Sequence, residues 1–161
     1  MKLNKLLYPV VLILILIVTG CLKDGPWAKT EQAAIADYIK KDTAYVLKPS
    51  GLYFYQVKEG TGRAPVVNDT VYFNYTGRFL NGVAFDSTST AKAPMEYIIG
   101  SGLIVAGVDE GLRYMKEGGF AKLLTPSSLA YGKEGLFTLV PGYSPLMWYI
   151  ELTKVKPGPV K

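Results

Sequence analysis

Two stretches of strict alternation constrain this chain most. Val71, Phe73 and Tyr75 alternate with Tyr72, Asn74 and Thr76, and near the end Leu146, Trp148, Ile150 and Leu152 alternate with Met147, Tyr149, Glu151 and Thr153. Successive side chains of a strand point to opposite faces, so a period of two predicts strands with one strongly apolar face. Residues 52–57, rich in aromatic and β-favouring side chains, read as a further strand, with Gly60 and Gly62 punctuating the turn after it. Between the strands, Val108, Leu112 and Met115 have helical spacing, and Gly118-Gly119 is expected to stop that run. One short helix among several strands predicts an α+β domain in which the helix covers one sheet face.

A second helix is predicted ahead of the strands, over residues 30–41. Thr30 is a plausible N-cap and Glu31 suits a first turn, while Ile35, Tyr38 and Ile39 share one face. That face is expected to pack on the chain's own domain. Residues 22–29, with Gly25 and Pro26, read as a tether, and the sequence leaves open whether Trp27 meets a membrane interface or the domain.

The first residues read as an address. Lys2 and Lys5 precede an apolar run over residues 6–18, broken only by Tyr8 and Pro9, and Val18-Thr19-Gly20-Cys21 follows. A positive start, a short apolar run and small residues make a secretory signal, whereas a spanning helix needs about 20 apolar residues. The end of the run resembles the lipobox of bacterial lipoproteins. That resemblance implies lipidation at Cys21 and a chain anchored in a bacterial envelope, with the outer membrane facing the periplasm as the expected site. An uncleaved membrane helix with an incidental cysteine is the alternative. The expected organisation is then a lipoprotein signal over 1–20, a lipidated tether over 21–29, a helical extension over 30–49 and a domain over 50–157.

Composition removes many chemistries. The chain of 161 residues has no histidine and a single cysteine, Cys21. The commonest general base and metal ligand are missing, and an internal disulfide is impossible. Ser-His-Asp triads, Cys-His pairs and zinc sites are excluded with them. The net charge of +5 falls to +3 once residues 1–20 are set aside, and the basic residues are scattered, which does not suit nucleic acid.

An ordered set of motifs adds what periodicity does not reach. Tyr75-Thr76-Gly77, Gly82 and Phe85-Asp86-Ser87 come first, followed by the segment from Pro94 to Gly100. Gly107-Val108-Asp109-Glu110-Gly111-Leu112 with Met115 is next, then Ala130-Tyr131-Gly132, Val140-Pro141 and Glu151-Leu152. Together they resemble the FKBP-type peptidyl-prolyl cis–trans isomerases, from about Gly51 to Val155, in a minimal form without an inserted flap domain. The resemblance implies a twisted antiparallel sheet wrapped around one short helix, with an apolar pocket between them. Its implied catalytic residues are Asp86, Tyr131, Val105 and Tyr75. Its implied substrate-binding residues are Phe85, Met95, Ile104, Val108, Leu139, Val140 and Trp148. Taken alone, Ile104, Val105, Leu139 and Val140 would read as core, and Asp86-Ser87 as a turn.

That activity needs no metal or cofactor. Resonance holds the peptide bond planar with a barrier of about 18–20 kcal/mol, and at proline both isomers are accessible but exchange over tens to hundreds of seconds. A catalyst must bind the twisted amide better than either planar form. Twisting removes double-bond character and much of the dipole, so an apolar, water-poor pocket suits the twisted state. Aromatic walls from Tyr75, Phe85 and Trp148 suit the proline ring. The resemblance implies that the Val105 N–H and the Tyr131 hydroxyl donate to substrate carbonyls, with Asp86 at the rim. Proline-containing polypeptides are the expected partners, and macrolides are possible ligands. Two departures favour a peptide-binding or chaperone module as the alternative: Val108 stands where the family usually has a tryptophan, and Met95 where it often has an aromatic residue. Val108 is expected to leave the pocket floor wider unless Trp148, Met95 or Tyr97 fills it. A structural envelope protein using the domain only as an interaction surface is a further reading.

Overall fold

The structure, a computed structural model, describes residues 26–89, 91 and 93–159. Helix α1 (Pro26–Lys41) is followed by strands β1 (Val46–Leu47), β2 (Tyr53–Lys58), β3 (Thr70–Phe79), β4 (Ala84–Ser87) and β5 (Met95–Ile98). Helix α2 (Ala106–Arg113), β6 (Phe120–Thr125), a 3-10 turn (Ser127–Leu129) and β7 (Leu146–Lys156) complete the order. Seven antiparallel strands form one sheet in the order β1-β2-β6-β7-β3-β4, and β5 pairs with β3 beside β4. This is the α+β architecture expected: a twisted antiparallel sheet around a short helix, with a further helix ahead of it.

The longest pairing joins β3 to β7, from Thr70 opposite Lys156 to Phe79 opposite Leu146, with one irregularity between Tyr72 and Phe73. Its inner face carries the alternating apolar residues. Val71, Phe73, Leu146, Ile150 and Leu152 are fully or almost fully buried, together with Leu112 and Met115. Helix α2 lies close to this face because Gly111 carries no side chain: a Cβ there would collide with Leu123 on β6. The helix ends at Arg113, earlier than Gly118-Gly119 suggested. Tyr114 N–H bonds to Gly111 O and Met115 N–H to Leu112 O, and this tightened end turns Met115 into the core.

The outer face is not bare. Ile35 of α1 is buried together with Tyr45, Leu124 and Met147, and Tyr38 and Ile39 pack against that cluster. The start of β7 is therefore buried on both faces: Leu146, Met147 and Trp148 are all inaccessible, where alternation alone indicated a half-buried strand. Two expectations at the N-terminus need correction. Helix α1 begins at Pro26, not at Thr30, so residues 26–29 are helical rather than tether. Proline favours a helix's first turn, where its fixed φ is already helical and its missing N–H breaks no bond. Glu31 accordingly lies beyond the first turn, which holds no acidic residue. Segment 30–49, expected to be helical, also supplies β1, which pairs with β2 through Val46 and Phe54. Cys21 and the apolar run before it lie outside the described residues.

Asp69 ties the start of β3 to the end of the chain. It is 2% exposed, and its carboxylate accepts from Arg63 Nη2 at 2.7 Å, Val66 N–H at 3.0 Å and Gly158 N–H at 2.9 Å. Burial opposes its ionisation, but the donations from Val66, Gly158 and Arg63 outweigh burial and hold the carboxyl below the ordinary aspartate range. A depressed folded-state pKa stabilises the fold above the unfolded value of about 3.9, and that contribution is lost as pH falls through the folded value. Asp69→Asn should cost about 1.5–3 kcal/mol at pH 7, the scale of bonds to a charged group. In denaturant titrations across pH the gap to wild type should close below about pH 4.

Candidate active site

Strands β3 and β7 bring Tyr75 and Trp148 to the inner face, where their ring centroids lie 6.0 Å apart. Phe73, two residues before Tyr75 on the same face, lies 5.9 Å from the Tyr75 ring. These rings wall a cavity of about 400 Å³, closed on the other sides by the 102–106 segment, Val108 of α2, Met95 of β5 and Ala130-Tyr131 after the 3-10 turn. Gly77 stands opposite Trp148 in the β3–β7 register, and a Cβ there would fall 2.6 Å from Phe85 Cζ and 3.0 Å from Trp148 Cζ3. Glycine at this place lets Phe85 pack edge-on against Trp148 at 5.5 Å. The indole is then held from below, where Trp148 Nε1 donates to Thr125 Oγ1 at 3.0 Å and Thr125 Oγ1 donates to Leu146 O.

Few polar groups converge on this cavity. The Tyr75 hydroxyl donates to Asp86 Oδ2 at 2.6 Å, and Asp86 Oδ1 accepts from Ser87 N–H at 2.8 Å. Burial first, then the Asp86 carboxylate, pushes the Tyr75 phenol well above its ordinary range. Burial likewise raises Tyr131, with the Asp86 charge adding to it. Both phenols therefore stay protonated donors throughout the physiological range. The Tyr75 hydroxyl donates to Asp86, whereas the Tyr131 hydroxyl and the Val105 N–H have no hydrogen-bond partner among the described residues. These two donors are available to a ligand in the cavity.

The loop bearing Val105 is fixed through Asp109, which is 7% exposed. Its Oδ1 accepts from Tyr97 Oη at 2.8 Å and Gly100 N–H at 2.7 Å, and its Oδ2 from Arg113 Nη2 at 2.6 Å. Tyr97 is thus turned toward α2 and does not fill the floor beside Val108. The floor is made by Val108, 4% exposed, with Met95 and Trp148.

The structure brings together Asp86, Tyr131, Val105, Tyr75, Met95, Ile104, Val108 and Trp148 around one cavity. It places three others elsewhere. Phe85 backs the Trp148 ring without lining the cavity. Val140 is buried in the core and pairs with Leu136, and Leu139 projects into solvent at 57% exposure. Phe73, Gly102, Leu103, Ala106 and Ala130 also line the cavity and were not singled out from the sequence. The period of two that selected Tyr75 already puts Phe73 on its face. No local signal marks Gly102, Leu103 or Ala106.

This site lies in a sequence that matches the family model for FKBP-type peptidyl-prolyl cis-trans isomerase over residues 61–153. The chain belongs to that family. It is 37% identical over 105 residues to the FK506-binding protein of Neisseria meningitidis serogroup B, covering 65% of this chain and 96% of that one. It is 38% identical over 122 residues to the FKBP-type peptidyl-prolyl cis-trans isomerase FkpA of Escherichia coli K12, covering 74% of this chain but only 43% of FkpA. The chain therefore spans less than half the length of that relative. The crystal structure of a peptidyl-prolyl cis-trans isomerase from Pseudomonas syringae pv. tomato superposes with a TM-score of 0.72 at 29% identity, covering 84% of this chain and 99% of that one.

Gly77→Ala tests the aromatic packing. The added methyl has no room between Phe85 and Trp148, so the variant should lose about 1–3 kcal/mol in denaturant unfolding, as overpacked sites do. Tryptophan emission should shift with it as Trp148 is displaced. Unchanged stability and emission would show that the rings are not held as described.

Proposed function

We propose that this chain is a peptidyl-prolyl cis–trans isomerase that binds the twisted amide preceding proline in the cavity between β3, β7 and α2. One observation carries this reading: an apolar, aromatic-walled cavity of about 400 Å³ whose lining includes two hydrogen-bond donors without a partner among the described residues, the Val105 N–H and the Tyr131 hydroxyl. Donors held at fixed places can orient a substrate's carbonyls, and the apolar walls favour the less polar twisted amide over its planar forms. Trp148 and Tyr75 would flank the proline ring. Asp86 would hold the Tyr75 phenol in place and present negative charge at the rim. Phe85 would act through Trp148, and the exposed Leu139 would meet the chain flanking the proline. The step breaks no covalent bond, so neither base nor nucleophile nor cofactor is required.

The family's isomerases bind proline-containing peptides and macrolides such as FK506. For this chain the proposed partners are proline-containing proteins of a bacterial envelope, reached from a lipid anchor at Cys21. The support for the anchor is the sequence over residues 2–21. Acyl chains on Cys21 would hold the protein at a bilayer, each buried CH₂ adding about 0.8 kcal/mol. A second reading, a peptide-binding module with little catalysis, is favoured by Val108 and Met95. They share the floor with Trp148, and their aliphatic side chains cover a proline ring less fully than further aromatic rings at those two places would.

Tyr131→Phe and Asp86→Val should lower kcat/KM in a proline-peptide exchange assay while far-UV spectra and melting change little. One neutral hydrogen bond is worth about 0.5–1.5 kcal/mol, so the Tyr131 loss should be several-fold. Undiminished activity in both variants would remove them from the site. For the anchor, Cys21→Ser should abolish incorporation of labelled fatty acid in cells. Normal labelling of that variant would rule out a lipid anchor at this residue.

A further inference from the structure

The N-terminal helix is hydrogen-bonded to the turn that precedes Tyr131 through Glu31. Glu31 of α1 accepts from both the backbone N–H and the hydroxyl of Ser127, the latter at 2.8 Å, across 96 residues of sequence. Ser127 is 5% exposed and opens the 3-10 turn that leads to Tyr131. Its carbonyl in turn accepts from Ala130 N–H at 2.9 Å and from Gly132 N–H at 2.8 Å. These amides belong to the residues immediately before and after Tyr131. One residue, Ser127, therefore clamps both sides of Tyr131 through its carbonyl and is itself clamped by Glu31.

The apolar face of α1 makes different contacts. Ile35, Tyr38 and Ile39 pack on Leu124 and Met147, on the sheet face turned away from the cavity. Helix docking and the hold on Ser127 are thus carried by different residues. A first-turn N–H has no partner within its own turn, and when buried it must find an outside acceptor. A carboxylate taking two bonds from one residue fixes that residue's position as well as satisfying it.

We propose that Glu31 is a positioning residue for Tyr131, so that the N-terminal extension sets the efficiency of the site through the Glu31–Ser127 contact. This rests on the isomerase reading above for its effect on turnover, though not for its effect on the Tyr131 segment. Without Glu31 the turn keeps its sequence but loses the acceptor that fixes it, and the Tyr131 hydroxyl samples positions from which it cannot reach a substrate carbonyl.

The test uses the full chain with Glu31→Ala, Glu31→Gln and Ile35→Ala, read by amide hydrogen exchange at Ala130 and Gly132, by proline-peptide turnover and by melting. Glu31→Ala should speed exchange at both amides and lower turnover several-fold, the scale of the Tyr131 hydrogen bond it disturbs. Glu31→Gln should keep most of both, because its carbonyl oxygen can accept from the Ser127 N–H and its amide can donate to the hydroxyl. Ile35→Ala should lower the melting temperature and leave the two amides and turnover unchanged where the protein is folded. In a Tyr131→Phe background, Glu31→Ala should cost little further turnover. Unchanged exchange at Ala130 and Gly132 in Glu31→Ala would overturn the proposal. So would an equal loss of turnover in Ile35→Ala, or full additivity with Tyr131→Phe. An inactive wild type would overturn the isomerase reading instead, and amide exchange together with proline-peptide affinity would then decide this one.

Discussion

The antiparallel pairing of β3 with β7 is the interaction on which the remainder of the molecule depends. It joins positions 67 to 86 residues apart in sequence and sets Gly77 directly opposite Trp148. With no side chain at Gly77, Phe85 can close on the indole and Tyr75 can meet it from the same face. Slipping β7 by one residue against β3 would send Trp148 to the face opposite Tyr75 and take the indole wall from the cavity. The same strand pair carries β4 and β5 on one side and β6 on the other, so the Asp86 rim, the Met95 floor and the Thr125 bond to Trp148 are all indexed to it.

The sheet has two occupied faces, and they do different things. The inner face, covered by α2, holds the main core and opens at one end into the cavity. The outer face is covered near β6 and β7 by α1, which buries Leu124 and Met147. Residues with the strongest demand for burial thus lie on both sides of the strands that bear Trp148. Rigidity there serves the site: an aromatic wall packed from behind and hydrogen-bonded at Nε1 keeps one orientation, which a catalyst of bond rotation needs if it is to favour one geometry of its substrate.

Much of this was legible in the sequence, for identifiable reasons. Alternation placed Val71, Phe73, Tyr75, Trp148 and Ile150 on one face because a strand's period of two leaves little freedom once one face is buried. The same alternation misjudged Met147, because a period records only which residues share a face, and the partner covering the other face comes from residues 26–41. Thr30 has the side chain of an N-cap, yet Pro26 is the stronger signal for the start of α1, its φ being helical already. The resemblance gathered residues of which most line one cavity, while Leu139 lies off it, apolar by type and yet exposed. The Glu31–Ser127 contact had no local signature. Both residue types are common on surfaces, and only the docking of α1 on the sheet brings them together.

The central claim is that the cavity lowers the barrier to rotation and does more than hold a proline. Exchange NMR on a short proline peptide separates these directly, because cis and trans forms give distinct resonances and interconvert in tens to hundreds of seconds unaided. With a catalytic amount of this protein the two sets should exchange many times faster at unchanged cis and trans populations. Resonances that shift on binding while the exchange rate stays at its unaided value would contradict the claim and leave a peptide-binding domain.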